Sequence, residues 1–491
     1  MTKKPLFLSK QWHLRELNVK YAWEKKITGK NITVCVVDDG VFYNPDLEIE
    51  ETKVNPIINN LDILLRKESY LHGTSVAGII GAKGNEYVLG IAYDCKLIAY
   101  NIGDSNITAK YSFADFILNN NNKIDIFNNS WGPPLIYGPN IINPIYVDII
   151  KSMNISSKEG RNKKGNIFVF ASGNENLKGG SSTYNKYCNQ NFIIAVGAAN
   201  SNLNMSTYSS YGLNVLCMAP AGFDVHSFKT NNGANYMISS EQLGITTTMP
   251  YTKYLGEKGF IPYTHDFYGT SAACPMVSGC VALLLSYRPD LTWRDVKELI
   301  SRSCYQDYDN NVTVPNEEFI LNGRKQIVSQ RTGYGLINVD NLIKNAKKWK
   351  LLPKEKNIRE EQYFDIVLNG IDNTKFTVNF EIDKKITIET VQVYLTANSK
   401  PSLINELIFN TNVTIISPQG TKLPLIDIPY TEDDTIVIEY QYYDNEPFLC
   451  ELLRGEKSNG IWTIEFNYLS IEDSPSSIFN LKYVKLDIFG H

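Results

Sequence analysis

Six short apolar segments recur in the first half of the chain, and they constrain the fold more than any other feature. They are rich in β-branched residues and lack the polar alternation of half-exposed strands, which is typical of strands buried on both faces of a parallel sheet. The segments are ITVCVVDD (32–39), CKLIAYNI (95–102), IDIFNNSW (124–131), NIFVFASGN (166–174), FIIAVGAAN (192–200) and NVLCMAP (214–220). Because helix-like segments separate them, the sequence predicts an α/β fold with helices flanking a parallel sheet.

The pattern changes after a charged stretch at 344–362. Beyond it, apolar and polar residues alternate in segments such as FTVNFEI, TIVIEYQYY and GIWTIEFNYL. Alternation with a period of two is typical of strands with one exposed face. The chain is therefore predicted to contain an α/β domain at 1–345 and an all-β domain at 346–491. A polar segment rich in Gly and Asn at 222–244 is predicted to be a surface loop.

Composition and charge argue against several classes of function. The 491 residues carry a net charge of −4, which leaves no basic surplus for nucleic acid. No apolar run has the roughly 20 residues of a transmembrane segment, and the amino terminus lacks the hydrophobic region of a signal peptide. Eight scattered cysteines without a CxxC pair favour buried thiols over a zinc site, and leave a disulfide open.

Four polar residues stand where a parallel sheet places ligands, beyond the carboxyl ends of its strands. Asp38 ends one apolar segment and Asn174 follows another. His72 and Ser271 each open a helix-like segment rich in small residues. Taken singly, each has a structural explanation: a helix cap for Ser271, a core histidine for His72 and turn residues for the other two. Taken together, they supply the nucleophile, base, acid and amide donor of a Ser–His–Asp hydrolase.

The motifs around these residues are VVDDG, HGTSVAG, ASGN and GTSAACP, in that order. Together they resemble the signatures of subtilisin-like serine proteases. The DDG doublet, SWGP and LTWRDVKELI are most similar to furin and kexin-type proprotein convertases, and VTIISPQGTKLPL resembles their P domain. The resemblance covers nearly the whole chain. It implies a subtilisin-like parallel sheet with flanking helices, followed by an all-β, jelly-roll-like P domain.

The resemblance implies one role for each of the four residues. Ser271 attacks the peptide carbonyl, and His72 accepts its proton and later donates it to the leaving amine. Asp38 orients His72 and stabilises its cation. Asn174 and the backbone N–H of Ser271 form the oxyanion hole. The implied partner is a peptide or protein substrate, and the chemistry requires no cofactor.

The resemblance also implies where a substrate binds. The segment of Ser130, Trp131 and Gly132 pairs with the extended substrate backbone. Ser172 and Gly173 wall the first specificity pocket.

Several acids that convertases use to select basic residues are absent. Leu135 and Asn185 stand at two of the matching positions, whereas Asp39 is retained. We therefore expect an eroded specificity, in which apolar, aromatic or neutral polar side chains are accepted before the cut bond. Because of Asp39, we expect at most a weak preference for a basic substrate residue one position further upstream. The alternative is that another acid, for example Glu175 or Glu241, restores the charge.

Two other kinds of function stay open at this point. The first is a catalytically weak or inactive relative that binds peptides in the same cleft. The second is a β-sandwich module that binds carbohydrate or protein and carries a protease-like domain. The intact catalytic set favours the enzyme.

A structural calcium ion and a compartment are further expectations from the resemblance. Asp46 and Asn85 match one calcium site, although Lys4 stands where that site has an acid, so at most one ion is expected. The alternative is that both are ordinary loop residues. The resemblance implies a secreted or secretory-pathway protein. We expect no signal peptide or propeptide in this chain, as in a mature fragment or a relative that folds without them.

Overall fold

The structure, a computed structural model, describes most of the chain. The described residues are 4–53, 72–102, 113–133, 144–230, 233–238, 242–251, 261–305, 319–369, 375–400, 411–427, 442–468 and 478–491. Leu135 and Glu241, both named above, lie outside these ranges.

A parallel sheet forms the centre of the first domain, so the predicted fold class is confirmed. Its described strands are β1 (Thr33–Asp38), β2 (Ile49–Lys53), β3 (Lys96–Asn101), β4 (Ile126–Asn129), β5 (Ile167–Ala171), β6 (Ile193–Asn200) and β7 (Val215–Gly222). Their order is β2-β3-β1-β4-β5-β6-β7, and every neighbouring pair is parallel. The central strands are buried throughout, which explains their continuous apolar sequences.

Helices cover both faces of this sheet. The described helices are α1 (Trp12–Glu16), α2 (Lys20–Glu24), α3 (His72–Gly81), α4 (Phe113–Asn119), α5 (Pro144–Lys163, with non-helical backbone at 160–162), α6 (Thr270–Tyr287), α7 (Trp293–Ser303) and α8 (Val339–Lys347). Successive β1 side chains point to opposite faces. Val34 and Val36 therefore join a core with α3 and α6, while Cys35 and Val37 join one with α4 and α5.

Helix α6 is the central helix of the domain and packs across β1 and β4 to β7. Its length and apolar composition would suit a membrane span, but 83% of it is buried inside the protein. A helix that is apolar on all sides is expected in the core of a large domain. No other helix among the described residues passes the same criterion.

Short antiparallel pairs complete the first domain: β8 (Val225–Thr230) with β9 (Gly233–Ile238), β10 (Ile245–Thr248) with β11 (Tyr263–Phe267), and β12 (Ile320–Leu321) with β13 (Ile327–Val328). The first pair corrects the expected surface loop at 222–244. There Thr230 pairs with Gly233 and Val225 with Ile238, and the sequence Asn-Asn-Gly between the two strands is typical of a hairpin.

The rest of the chain forms a β domain of two described antiparallel sheets, with orders β14-β21-β16-β19 and β15-β20-β17-β18. The strands are β14 (Lys356–Asn369), β15 (Lys375–Ile382), β16 (Ile388–Lys400), β17 (Thr411–Ile416), β18 (Lys422–Ile426), β19 (Tyr442–Cys450), β20 (Gly460–Tyr468) and β21 (Ile478–Gly490). Val391, Phe448 and Trp462 are buried in its core. Helix α8 crosses the expected boundary at 345, and the first strand of this domain begins at Lys356.

Candidate active site

The four candidate catalytic residues lie on elements whose ends meet at one edge of the parallel sheet. Asp38 is the last residue of β1, and Asn174 follows β5. His72 is the first residue of α3, and Ser271 is the second residue of α6. Because α3 packs against both α6 and β1, these rigid elements hold Asp38, His72 and Ser271. Asn174 lies in the segment that follows β5.

Asp38 and His72 form a hydrogen-bonded pair. The Nδ1 atom of His72 lies 2.8 Å from Oδ1 of Asp38, whose side chain is only 4% exposed. Burial lowers the pKa of His72, but the charge and hydrogen bond of Asp38, with the charge of Asp39, outweigh it, so the pKa is raised overall. The pair therefore holds a proton on Nδ1 and leaves Nε2 as the basic nitrogen.

Asp39 is directed at the start of helix α3. The backbone N–H of Gly73 donates to its Oδ1 at 2.8 Å, and that of His72 donates to its Oδ2 at 3.3 Å. Burial and the neighbouring charge of Asp38 raise the pKa of Asp39 to about 7. A carboxylate at this place satisfies free N–H groups of a helix N-terminus. Asp39 is not among the described residues that line the cavity beside Ser271.

The hydroxyl of Ser271 is turned away from its own helix. The N-cap of α6 is Gly269, with φ of 98°, and Ser271 Oγ donates to the carbonyl of Ser130 at 3.2 Å. The hydroxyl of Ser130 in turn donates to the carbonyl of Ser271 at 3.1 Å. Pro275, four residues further on, has no N–H to donate to that carbonyl, so Ser130 fills the vacant position. The structure thus disfavours the helix-cap explanation of Ser271.

Asn174 is oriented by a residue that the sequence reasoning missed. The backbone N–H and the hydroxyl of Thr270 both donate to its Oδ1, each at 2.9 Å. Because the carbonyl end of the amide is engaged, its NH2 group is left as the free donor, and no described residue accepts from it. The only signal in the sequence was that Thr270 directly precedes Ser271.

A cavity of about 190 Å³ lies beside Ser271. Residues 130–133 and 171–175 form its walls, and Ser181, Asn185 and Thr270 complete the lining. The structure thus brings together, around one cavity, Ser271 and seven other residues predicted from the sequence: Ser130, Trp131, Gly132, Ser172, Gly173, Asn174 and Asn185. It also adds Glu175, which the sequence reasoning named only as an alternative.

Asn185 does not offer an acceptor to this cavity. Its Oδ1 accepts the backbone N–H groups of Tyr187 at 3.0 Å and Cys188 at 3.3 Å. Its amide nitrogen lies on the side of Gly132, 3.3 Å from the position a Cβ would take there. The side chain therefore presents a donor where a cationic substrate needs an acceptor.

The expected calcium loop is filled by hydrogen-bond donors. The Asp46 carboxylate accepts three backbone N–H groups, from residues 86–88, at 2.7 to 2.9 Å and the hydroxyl of Tyr263 at 2.9 Å. Asn85 uses its amide to donate to the carbonyl of Pro45 at 3.0 Å. Within the described ranges, no group of three His, Cys, Asp or Glu residues is suited to a metal ion. These residues do not fit a calcium site, because calcium requires oxygens turned inward rather than N–H groups.

A buried Asp–His pair, a hydroxyl at the start of a central helix and an oriented amide at the carboxyl edge of a parallel sheet match the arrangement of subtilisin-type serine endopeptidases. The sequence agrees: residues 29–335 match the model of the subtilase family, Peptidase_S8. The chain belongs to this family.

Similar curated proteins are processing endoproteases. A PC3-like endoprotease variant B of Hydra vulgaris is 27% identical over 478 residues, which cover 95% of this chain and 62% of that protein. Human proprotein convertase subtilisin/kexin type 6 is 27% identical over 95% of this chain and 45% of its own length. A dibasic-processing endoprotease of Yarrowia lipolytica is 30% identical over 72% of this chain and 35% of its own length. The chain thus spans about half the length of these relatives.

Among solved structures, a serine protease of Aeromonas sobria has a similar fold. The TM-score is 0.77 at 20% identity, and the match covers 100% of this chain and 97% of that one. A complex of the same protease with a chaperone gives a TM-score of 0.77 at 19% identity, covering 99% and 95% of the two chains. This likeness shows that the fold extends over both domains.

Proposed function

We propose that the chain is a serine endopeptidase that cleaves extended segments of peptides or proteins through an acyl-enzyme. The observation that most supports this is the Asp38–His72 pair at 2.8 Å on elements packed against the helix that carries Ser271. A histidine whose pKa is raised by a buried carboxylate is suited to accept a proton at the moment of attack.

In this mechanism, Ser271 Oγ exchanges its hydrogen bond with the Ser130 carbonyl for one with Nε2 of His72. The hydroxyl then attacks the substrate carbonyl while His72 takes the proton, which it later gives to the leaving amine. Oxygen charge develops beside the NH2 group of Asn174 and the backbone N–H of Ser271 at the start of α6. Water then attacks the acyl carbonyl while His72 takes its proton; the bond to Ser271 Oγ breaks, the carboxylic acid product leaves, and His72 returns the proton to Oγ.

The strict requirement for paired basic residues is relaxed in our proposal. At two positions where the resemblance implies an acid, no free carboxylate is available to a substrate. Asn185 presents an amide donor, and the carboxyl group of Asp39 accepts backbone N–H groups at the start of α3. Because Asp39 is engaged there, the subsite one position upstream of the first pocket has no free carboxylate, which gives little Coulomb attraction for a second lysine or arginine. The name of one relative, "dibasic-processing endoprotease", supports peptide processing as the activity. The secretory pathway, which the family resemblance implies, is the proposed setting.

Hydrolysis of an unstructured protein such as casein tests the proposed activity. We expect the wild-type chain to cleave it and Ser271→Ala to be inactive with an unchanged melting temperature. Ser286→Ala is the matched control, because Ser286 lies in the last turn of the same helix and bonds only locally, to the carbonyl of Leu283. Equal cleavage by Ser271→Ala would reject the nucleophile. A folded wild-type chain without activity would favour the inactive peptide-binding relative.

A further inference from the structure

Glu175 lines the cavity beside Ser271. Glu175 directly follows Asn174, and its Oε2 accepts the backbone N–H of Asn174 at 2.7 Å. Glu175 is the only residue with a formal charge among the described residues that line this cavity.

Ser210 and Gly173 hold this carboxylate in place. The Ser210 hydroxyl accepts the backbone N–H of Glu175 at 3.1 Å and donates to its Oε2 at 3.3 Å. Gly173 has φ of 115°, and a Cβ there would lie 2.5 Å from Oε2 of Glu175. Only glycine therefore leaves room for the carboxylate against this wall. The acid is positioned by the fold and is not a freely rotating surface side chain.

No cation within the described part of the chain pairs with Glu175, and its Oε1 accepts no hydrogen bond there. A carboxylate in a partly enclosed cavity gains most from a positively charged partner. The lining does not provide one. The buried hydroxyl of Ser172, in the same lining, also lacks a partner among the described residues. Both groups can accept N–H donors from a bound side chain.

We propose that Glu175 is the specificity-determining residue of the first substrate pocket. It selects a lysine or arginine side chain at the residue whose carbonyl Ser271 attacks. This inference rests on the proposed function. It assigns the negative charge of the pocket to Glu175, directly after Asn174, and not to position 185, where the resemblance implies an acid. Because Asp39 is turned to helix α3, the selection is for one basic residue and not for a pair.

Two matched peptide substrates test this assignment. They are identical except for arginine or citrulline before the cut bond, because citrulline has nearly the same shape as arginine without its charge. We expect the wild-type chain to prefer arginine by at least about tenfold in kcat/KM. In Glu175→Gln the ratio of the two kcat/KM values should fall towards one. The kcat/KM for the arginine peptide should fall, while that for the citrulline peptide should stay the same. Glu360→Gln, which removes an exposed carboxylate from the β domain, should keep the wild-type ratio.

Binding of benzamidine provides a readout that does not depend on turnover. This amidinium cation should raise the melting temperature of the wild-type chain but not that of Glu175→Gln, and its neutral analogue benzamide should raise neither. A wild-type chain that cleaves both peptides equally, or a preference that survives in Glu175→Gln, overturns the assignment and leaves the proposed activity intact. A benzamidine shift that requires Glu175, in a chain that cleaves neither peptide, supports the pocket and rejects the activity.

Discussion

Lys297 of helix α7 and Glu451 of the β domain form an ion pair of 2.6 Å between side chains that are 1% and 0% exposed. The ammonium also donates to the carbonyls of Asn191 and Ile193, at 2.6 and 2.7 Å, and Arg454 donates to the other oxygen of Glu451. Every charge of this cluster is thus hydrogen-bonded within the junction of the two domains. Such a cluster makes the docking of the domains specific.

Glu451→Gln should destabilise the whole chain by about 3 to 5 kcal/mol, because it leaves the buried ammonium of Lys297 without its counter-ion. Chemical denaturation measures this loss of unfolding free energy. Glu360→Gln is the control, since the carboxylate removed there is exposed. Equal denaturation midpoints for Glu451→Gln and the wild type would show that the pair contributes nothing to domain docking.

Asn174→Ala should lower kcat by about 100- to 1000-fold with little change in KM, the magnitude typical of a subtilisin that loses one oxyanion donor. Thr270→Val should lower kcat by less, because it removes one of the two donors that orient the amide and leaves the backbone N–H. Thr270→Ser keeps the hydroxyl and should retain the wild-type rate. If Asn174→Ala kept the wild-type kcat, Asn174 would be a turn residue with no role in the oxyanion hole.

Asp39→Asn should flatten the dependence of stability on pH. The folded chain holds a proton on Asp39 up to about pH 7, whereas an unfolded aspartate loses it at about pH 4. The stability that this proton contributes is therefore complete below pH 4 and is lost as the pH rises to 7. Melting temperatures at pH 4.5 and 7.5 should differ more for the wild type than for the variant. If the melting temperature changed equally with pH in the wild type and in Asp39→Asn, the raised pKa of Asp39 would be contradicted.

Removal of calcium should leave the melting temperature unchanged. The Asp46 carboxylate is already bonded by three N–H groups and the hydroxyl of Tyr263, so the loop stands without a cation. Dialysis against EDTA, followed by thermal denaturation with and without added calcium, measures this. A melting temperature that falls in EDTA and recovers with calcium would restore the ion expected from the resemblance.

The fold was largely predictable, because the six apolar segments coincide with six strands of the parallel sheet. The edge strand β2 was missed, since its sequence IEETK has one apolar residue and no continuous run. The hairpin at Val225 to Ile238 was missed because its composition is that of a loop and VHSFKT has no regular alternation of apolar and polar residues.

The candidate catalytic residues were recognisable from motifs, but their surroundings were not. The direction of the Asn174 amide depends on Thr270, 96 residues away, and the position of Glu175 depends on Ser210, 35 residues away. Neither contact has a sequence pattern of its own. Asp39 illustrates the same limit: its position in the DDG doublet was clear, but only the fold shows that its carboxylate binds the start of α3.

Labelling with a fluorophosphonate shows whether His72 activates Ser271 as a nucleophile, because the reagent reacts with a serine only when a neighbouring base activates it. The adduct is located in the wild-type chain by mass spectrometry of its peptides. We predict a single adduct on Ser271, absent from Ser271→Ala and strongly reduced in His72→Ala. A folded wild-type chain without an adduct on Ser271, or with equal labelling in His72→Ala, would contradict the account.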